Sequence, residues 1–493
     1  MLLVGIDLGT QTCKAVVCDE GMAVRGAHAV GYPTSYPGPD AAEQDPAAWL
    51  GALAPAIGGA LAAAGAAPGD VAAIAFTGQC DGCVAVHAGG APLHPALIWQ
   101  DRRAVAETAA APASAVFELT GQVADPSHMA PKIRWLRARY PAAARFHQPV
   151  SYLVEQLTGE AAIDPALAST TMLLELAAPA GPRWAAALLE AFAIAPAELP
   201  RLAGACEVAG ALTAAGARAT GLRAGTPVAV GTGDDFATPL GAGVIGPGPV
   251  ICGIGTAEVV GALAARPVLD RAAAEPMVET HAYPTGAFFV ENPGWLSGGA
   301  VRWAARLLGL AGDAELDALA AAAPPGAGGV TFIPALAGAM TPVWRPHARG
   351  TLHGLAAAHD RGHAARAVLE GLAFAARDVV ERLAALGLPG DRVLLLGGGS
   401  RSAVWAQLRA DVLGLPHDVA ASTDTCPIGA AMIASVAAGV HPDLPAVAAL
   451  APPPRHRFAP DPRARAAADA AYRRYRALID QLAPLSASPW AHA

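Results

Sequence analysis

Lysine is almost missing from this 493-residue chain: Lys14 and Lys132 stand against 31 arginines. Where arginine has replaced nearly every lysine, a retained lysine is a candidate for a place that needs a compact point charge. Charged residues of all kinds reach only 15%, with apolar residues at 54%, which excludes a disordered chain. The net charge of -8 makes nucleic acid and anionic membranes poor partners. Strongly apolar runs of the roughly 18–20 residues that span a bilayer are missing too. Stretches such as GALAPAIGGALAAAGAA (51–67) are mostly alanine and glycine. The N-terminus, MLLVGIDLGT, has no basic segment before its apolar run, so no signal peptide is expected. The seven cysteines are an odd number in a long chain and read as reduced thiols in the cytoplasm. Cys80 and Cys83 form a single CDGC with no second pair, which argues against a zinc site. Either a redox dithiol or two incidental thiols is left.

What is there begins with length. A chain of 493 residues exceeds the size at which one core usually keeps growing, so at least two domains are expected. LLVGID (2–7), a polar turn and CKAVVCD (13–19) read as a β-hairpin. VAAIAFTGQ (71–79) is a further strand, and TPVAVGTGDD (226–235) a strand that delivers two acids at its carboxyl end. Ligands bind beyond the carboxyl ends of strands in α/β sheets. GPVICGIGTAEVVGAL (248–263) repeats the opening pattern of strand, glycine-polar turn and strand, which suggests two related halves. Residues 132–140, 148–158 and 363–386 read as helices, the last with Val368, Leu369, Leu372, Ala376, Val379 and Leu383 on one apolar face. RVLLLGGGSRSAVWAQLRADVLG (392–414) reads as strand, triple glycine and helix, and 421–439 as a loop entering an apolar helix. The tail, Pro-rich from 452 to 462 and then helical, reads as docking on a domain.

Four loops carry candidate chemistry. The first hairpin tip offers Gly9, Thr10, Gln11 and Thr12, whose N–H and hydroxyl groups suit anionic oxygens, while Asp7 suits a hydrated Mg²⁺. Lys14 adds a positive charge, and an ordinary hairpin turn is the plain alternative. GIGT (253–256) has the same chemistry without the acid. GGGSRS (397–402) lacks the Lys-Ser/Thr pair of a Walker A loop, but its glycines let a flat ligand approach the backbone. In GTGDDFATPLGAG (231–243), Asp234 and Asp235 read either as a helix N-terminus or as functional carboxylates.

Together these loops resemble the FGGY carbohydrate kinases, most closely the xylulokinase branch. The resemblance runs almost end to end, through GIDLGTQTCKAVV, AEQDPAAW, TGQ, ALIWQDRR, APKIRWL, EVAGALT, GTGDDFATPLGAGV, GIGT, GTLHGL, RAVLEGLAFAARD and LLLGGGSRSAVW, in family order. It implies an α/β fold of two actin-like, ribonuclease-H-like domains with the active site in the cleft between them. The expected divisions are an N-terminal domain over 1–245, a C-terminal domain over 246–440 and a tail over 441–493. It also implies an ATP- and Mg²⁺-dependent kinase of a neutral ketose or a polyol. Asp234 would be the catalytic base and Asp7 would lie near Mg²⁺. Thr10, Gln11, Lys14, Gly255 and Thr256 would meet phosphates, and Gly398, Gly399 and Ser400 would meet adenosine. Gln79, Cys80, Asp81 and Asp235 would line the sugar. A homodimer is common in the family.

The chain departs from the xylulokinase pattern at two places. Cys80-Asp81 replaces Met-His, and Asp235 replaces Asn. An ionised Asp only accepts hydrogen bonds, so such a site favours substrate hydroxyls and disfavours carboxylates such as gluconate. The DG after GQ is similar to kinases of polyols and other ketoses in the family. Asp235 as a helix cap stays open. Asp101 and Arg102 read as a pair bracing their loop, Trp99 as core, His128 and His347 as surface or loop residues, and Trp295 and Trp303 as packing. Lys132 matches a family position whose role the residues do not explain. A non-sugar actin-like ATPase and a thiol-redox protein are the rival classes.

Overall fold

Glycine and small polar residues break the first 31 residues into three strands, β1 (Leu2–Leu8), β2 (Thr12–Cys18) and β3 (Val24–Gly31), paired antiparallel in turn. In this computed structural model, which describes residues 1–271 and 276–486, β4 (Val71–Gly78) adds to β1 in parallel. β5 (Val208–Ala211) and β6 (Pro227–Ala229) complete a six-stranded sheet of order β5-β6-β4-β1-β2-β3. The second half repeats the plan. β7 (Val250–Ile254) and β8 (Ala257–Ala264) form the hairpin expected from GPVICGIGTAEVVGAL. β9 (Glu279–Ala282), β10 (Phe288–Leu296), β11 (Val393–Leu396), β12 (His417–Val419) and β13 (His456–Phe458) build the sheet β9-β10-β8-β7-β11-β12-β13. In each half, an antiparallel hairpin is extended by two parallel strands on its first strand, β4 and β6 in one, β11 and β12 in the other. The repeat inferred from two weakly similar turns is thus a repeat of topology.

The helices that matter for the site and its frame are α1 (Pro46–Ala64), α2 (Met129–Arg139), α3 (Asp234–Gly241), α4 (Gly298–Leu307), α5 (Arg361–Ala385), α6 (Ala403–Leu413), α7 (Thr425–Ala437) and α8 (Pro462–Leu482), with others between, among them Pro149–Thr158 and Asp313–Ala322. Among the described residues α1 is the one helix long and apolar enough to cross a membrane by length and composition. It packs on β2 and β3, with Trp49, Leu53, Ile57 and Leu61 in the core. α5 is buried more widely than the single expected face, since Ala365, Ala373 and Ala375 are covered as well. A small separate core around Cys83, Val116, Ile133, Phe146 and Leu188 holds the insertion between β4 and β5 that carries α2. α8 docks on the second domain through Ala468, Ala471, Tyr472, Tyr475 and Leu478. Residues 487–493 of the expected tail lie outside the described residues.

α7 goes where the chain order does not put it. Grouped by sequence with the second half, it packs on β1 and α3 of the first, and Ile428, Ala430, Ala431 and Ile433 belong to the first core. Two glycines make the approach. A Cβ on Gly5 of β1 would lie 1.9 Å from the Pro427 carbonyl oxygen, and one on Gly241 would lie 1.9 Å from that of Thr425. Only glycine admits backbone so close.

Candidate active site

Three parallel strands, β1, β4 and β6, end on one edge of the first sheet, and their last residues bring the acids together. Asp7 lies opposite Thr77 in the β1–β4 register and opposite Lys14 across the hairpin. β6 runs into GTGDD, and α3 starts at Asp234. Gly233, not either acid, is the capping residue, so Asp235 does not act as the helix cap. Asp234 Oδ1 accepts the Asp235 N–H at 3.1 Å and lies 3.6 Å from the Cys80 thiol. Burial raises the Asp234 carboxyl above its ordinary range, against the thiol and helix N–H groups that lower it, and Asp81 raises it further. Asp235 is pushed well up by burial, then by Asp234 and Asp81. None of Asp81, Asp234 and Asp235 has a Lys or Arg partner among the described residues.

Asp7 has one oxygen, Oδ1, shielded from solvent without a hydrogen-bond partner. Burial and then the Asp234 charge push its carboxyl up to about 7, against the Cys426 thiol and Lys14. An orphaned carboxylate oxygen facing a second acid fits a hard cation with oxygen ligands such as Mg²⁺. Lys14, expected at the phosphates, pairs its Nζ with Asp424 at the start of α7.

The hairpin tips are braced differently. Tyr32 Oη donates to the Gly9 and Thr12 carbonyls. Trp99, 39% exposed, donates its indole N–H to Thr10 Oγ1 at 2.9 Å, so it is a brace at the cleft and not a core residue. Gln11 is exposed at the tip. In the second hairpin the Gly255 N–H bonds the Ala257 carbonyl at 2.8 Å, and Thr256 Oγ1 accepts from Arg302 of α4 at 3.2 Å. Arg302 is a cation at a phosphate-sized turn that sequence spacing did not reveal. In GGGSRS, a Cβ on Gly398 would meet open space, whereas one on Gly399 would strike Ile254. Ser400 donates its hydroxyl to the Gly397 carbonyl at 2.7 Å, so its side chain shapes the loop.

On the other side of Asp234, Gln79 is buried, donates to Gln44 Oε1 at 2.8 Å and leaves its Oε1 unpartnered. His128, expected at the surface, is buried with Nδ1 2.9 Å from Asp81 Oδ1. Lys132 is buried too, and its Nζ donates to the carbonyls of Asp81 and Ile98, each at 2.8 Å, and of Ser127. Its place in the sequence thus has a reason: one ammonium fastens three loops. Asp101 and Arg102 do not pair with each other. Asp101 pairs with Arg103 and accepts the Ala42 N–H at 2.9 Å, while Arg102 makes a two-pronged contact with Asp125 at 2.8 and 2.7 Å. His347 stays in a loop, Trp295 is buried and Trp303 stacks on Phe332, as packing residues. All seven cysteines are free thiols, and burial pushes Cys83 up to about 12 and Cys80 well above its ordinary value. Neither is a ready thiolate, which weighs against redox use.

Glu279, His281 and Glu291, from β9 and β10 of the second sheet, reach this side of the cleft and were not legible in the sequence. Nor was Cys426, whose thiol lies 3.8 Å from Thr77 Oγ1 and 3.9 Å from the Asp234 carbonyl. Behind the GTGDD turn, buried Asp164 accepts from Thr232 Oγ1 at 2.9 Å. Burial pushes its carboxyl up to about 7. Between about pH 4, where the unfolded carboxyl titrates, and pH 7, the folded chain holds a proton that the unfolded chain has lost, so stability falls as pH rises. Denaturation of wild type and Asp164→Asn across pH 4–8 is expected to show the wild type losing on the order of 4 kcal/mol relative to the variant by pH 7, then running parallel. A constant difference across the range would refute this.

Comparison with known proteins supports the same reading. Residues 2–241 match the N-terminal domain of the FGGY family of carbohydrate kinases, and 250–438 match its C-terminal domain. The chain is 32% identical to the xylulose kinase of Escherichia coli (strain K12), over 99% of this chain and 100% of that protein. It is also 32% identical to the glycerol kinase of Citrifermentans bemidjiense, over 89% and 90%. Among solved structures, a kinase from Brucella ovis described as a xyloylose kinase superposes with a TM-score of 0.89 at 31% identity, covering 98% of this chain and 100% of that one. The xylulose kinase of Rhodospirillum rubrum gives 0.86 at 30% identity, covering 99% and 100%. With the duplicated sheets, the inter-domain acids and these matches in agreement, the chain belongs to the FGGY family of carbohydrate kinases, ATP-dependent phosphotransferases that act on an alcohol group.

Proposed function

We propose that this kinase phosphorylates a neutral polyhydroxy substrate, a ketose such as xylulose or a polyol of the glycerol or erythritol kind, with Asp234 as general base. The observation that carries the reading is the convergence of Asp81, Asp234 and Asp235 at the start of α3 with no paired Lys or Arg among the described residues. A cluster of carboxyl oxygens recruits substrate hydroxyls and disfavours a further carboxylate.

Asp234 takes the proton from the attacking hydroxyl as its oxygen bonds to the γ-phosphorus and the bond from phosphorus to the β,γ-bridging oxygen breaks, releasing ADP. Gly9–Thr12 and Gly255–Thr256 flank the phosphates from the two domains, with Arg302 supplying positive charge beside Thr256. Gly398 gives the adenosine a flat backbone surface. Asp7 would hold Mg²⁺, which supplies neutralisation of phosphate charge when bound. Gln79 Oε1 and Asp81 receive substrate hydroxyls.

ADP release from Mg-ATP is the test, across pentuloses, hexuloses, tetritols, pentitols, glycerol and gluconate. One neutral compound is expected to exceed gluconate by about 10²-fold or more in kcat/KM, the scale on which a mismatched polar site rejects a ligand. Preference for gluconate would overturn the proposal.

A further inference from the structure

We infer that His128 is a positioning residue for Asp81, one imidazole that fixes the substrate-side carboxylate and ties it to the second domain. The inference rests on the reading of Asp81 as a substrate contact.

Asp81 stands at φ +60°, a left-handed backbone that few residues other than Gly, Asn and Asp adopt. Two side chains four positions apart at the start of α2 hold it there. Lys132 Nζ donates to the Asp81 carbonyl, and His128 Nδ1 meets its Oδ1 at 2.9 Å. Oδ2 makes no hydrogen bond among the described residues, so the clamp spends one oxygen and leaves the other for a ligand.

The far side of the imidazole faces the other domain. Nε2 lies 3.8 Å from Oε1 of Glu279 on the edge strand β9, and that oxygen also accepts the Val123 N–H at 2.7 Å. His128 is therefore buried between one carboxylate from each domain. The Thr170 carbonyl at 3.1 Å and the Gln122 amide at 3.2 Å complete its surroundings, with the charge of Asp125 and the neutral ring of His281 nearby. Burial opposes a charged ring, but Asp81 and Glu279 outweigh it and hold His128 well above its ordinary value. Nδ1 thus holds Asp81 by a short hydrogen bond, and Nε2 adds a longer ion pair to Glu279 of the other domain. Contact with the substrate hydroxyl and contact between the domains thus share one side chain.

His128→Ala and His128→Gln test this with the panel substrate that the wild type uses best. His128→Ala is expected to raise the KM for that substrate about 10- to 100-fold, the scale of a lost charged hydrogen bond, while the KM for ATP and kcat stay within a fewfold. His128→Gln, which keeps a donor, recovers part of the loss. Asp81→Asn and His128→Gln combined lose less than the sum of their separate losses. Equal rises in both KM values, no rise in either, or additive losses overturn the inference. If His128→Ala does not fold, judged by its thermal midpoint with Mg-ATP, the Gln and Asn variants carry the test. A wild type silent on the whole panel overturns the kinase reading and this inference with it, whereas an active wild type with unshifted variants overturns this inference alone.

Discussion

Asp234→Asn is expected to keep its fold and lose turnover by on the order of 10²–10⁴-fold, the usual weight of a positioned base. Two features make the loss specific. Asp234 begins α3 at the carboxyl ends of three strands, so its backbone is fixed by elements that the substitution does not touch. Its neighbours Asp81 and Asp235 are also acids, and burial and their proximity raise the carboxyls of Asp234 and Asp235. Replacing it with a neutral isostere relieves repulsion in the empty pocket. The variant is therefore expected to unfold at the wild-type midpoint or slightly above it while kcat falls. Sites built for chemistry commonly trade stability for function in this way. Thermal denaturation beside steady-state ADP release measures both. Retention of most of the wild-type rate would sink the assignment of the base. A lowered midpoint would instead show that the carboxylate serves the fold.

Arg409→Met is expected to be the most destabilising single change described here, at about 3–5 kcal/mol, the cost of orphaning a buried charge. Arg409 of α6 and Glu258 of β8 are both fully buried. Their two-pronged contact includes Nη1 to Oε2 at 3.2 Å, and Ser297 Oγ donates to the same Oε2 at 2.7 Å. Met fills part of the space but leaves a carboxylate with one hydroxyl partner. Glu258 stands two residues beyond Thr256, and Ser297 leads into α4, which carries Arg302. Damage to the pair thus reaches the second phosphate turn, and the KM for ATP should rise more than that for the sugar. Pairing Arg409→Met with Glu258→Gln removes the stranded charge and is expected to restore part of the stability. Denaturant unfolding of the single and double variants checks this. A single-variant loss below about 1 kcal/mol would mean that the pair contributes little beyond its apolar surroundings.

Local patterns made much of this protein legible. The two hairpins followed from short apolar runs around glycine turns, and the acids of GTGDD from a strand reading straight into them. What the sequence hid was set by partners far along the chain. His128 sits in a polar stretch, DPSHMAPK, and reads as surface until the fold lays Asp81 and Glu279 on either side of it. Lys132 looks like a helix-face lysine, yet its three acceptors come from three different loops. Arg409 lies in the helix AVWAQLRADVLG, and only the sheet behind α6 shows what it meets. Trp99 shows the reverse error, since an indole suggests a core while its N–H is needed at the cleft.

The crossing of α7 also bears on how the molecule is made. Strand β1 leaves the ribosome more than 400 positions before the helix that covers its Gly5. A nascent chain therefore carries an uncovered sheet face until that helix is made, and the long-range closure that ends this exposure is the kind that folds slowly. No fragment ending before Thr425 contains the surface that seals the first core. The N-terminal half is in this sense a host awaiting a guest supplied by the far end of the second half.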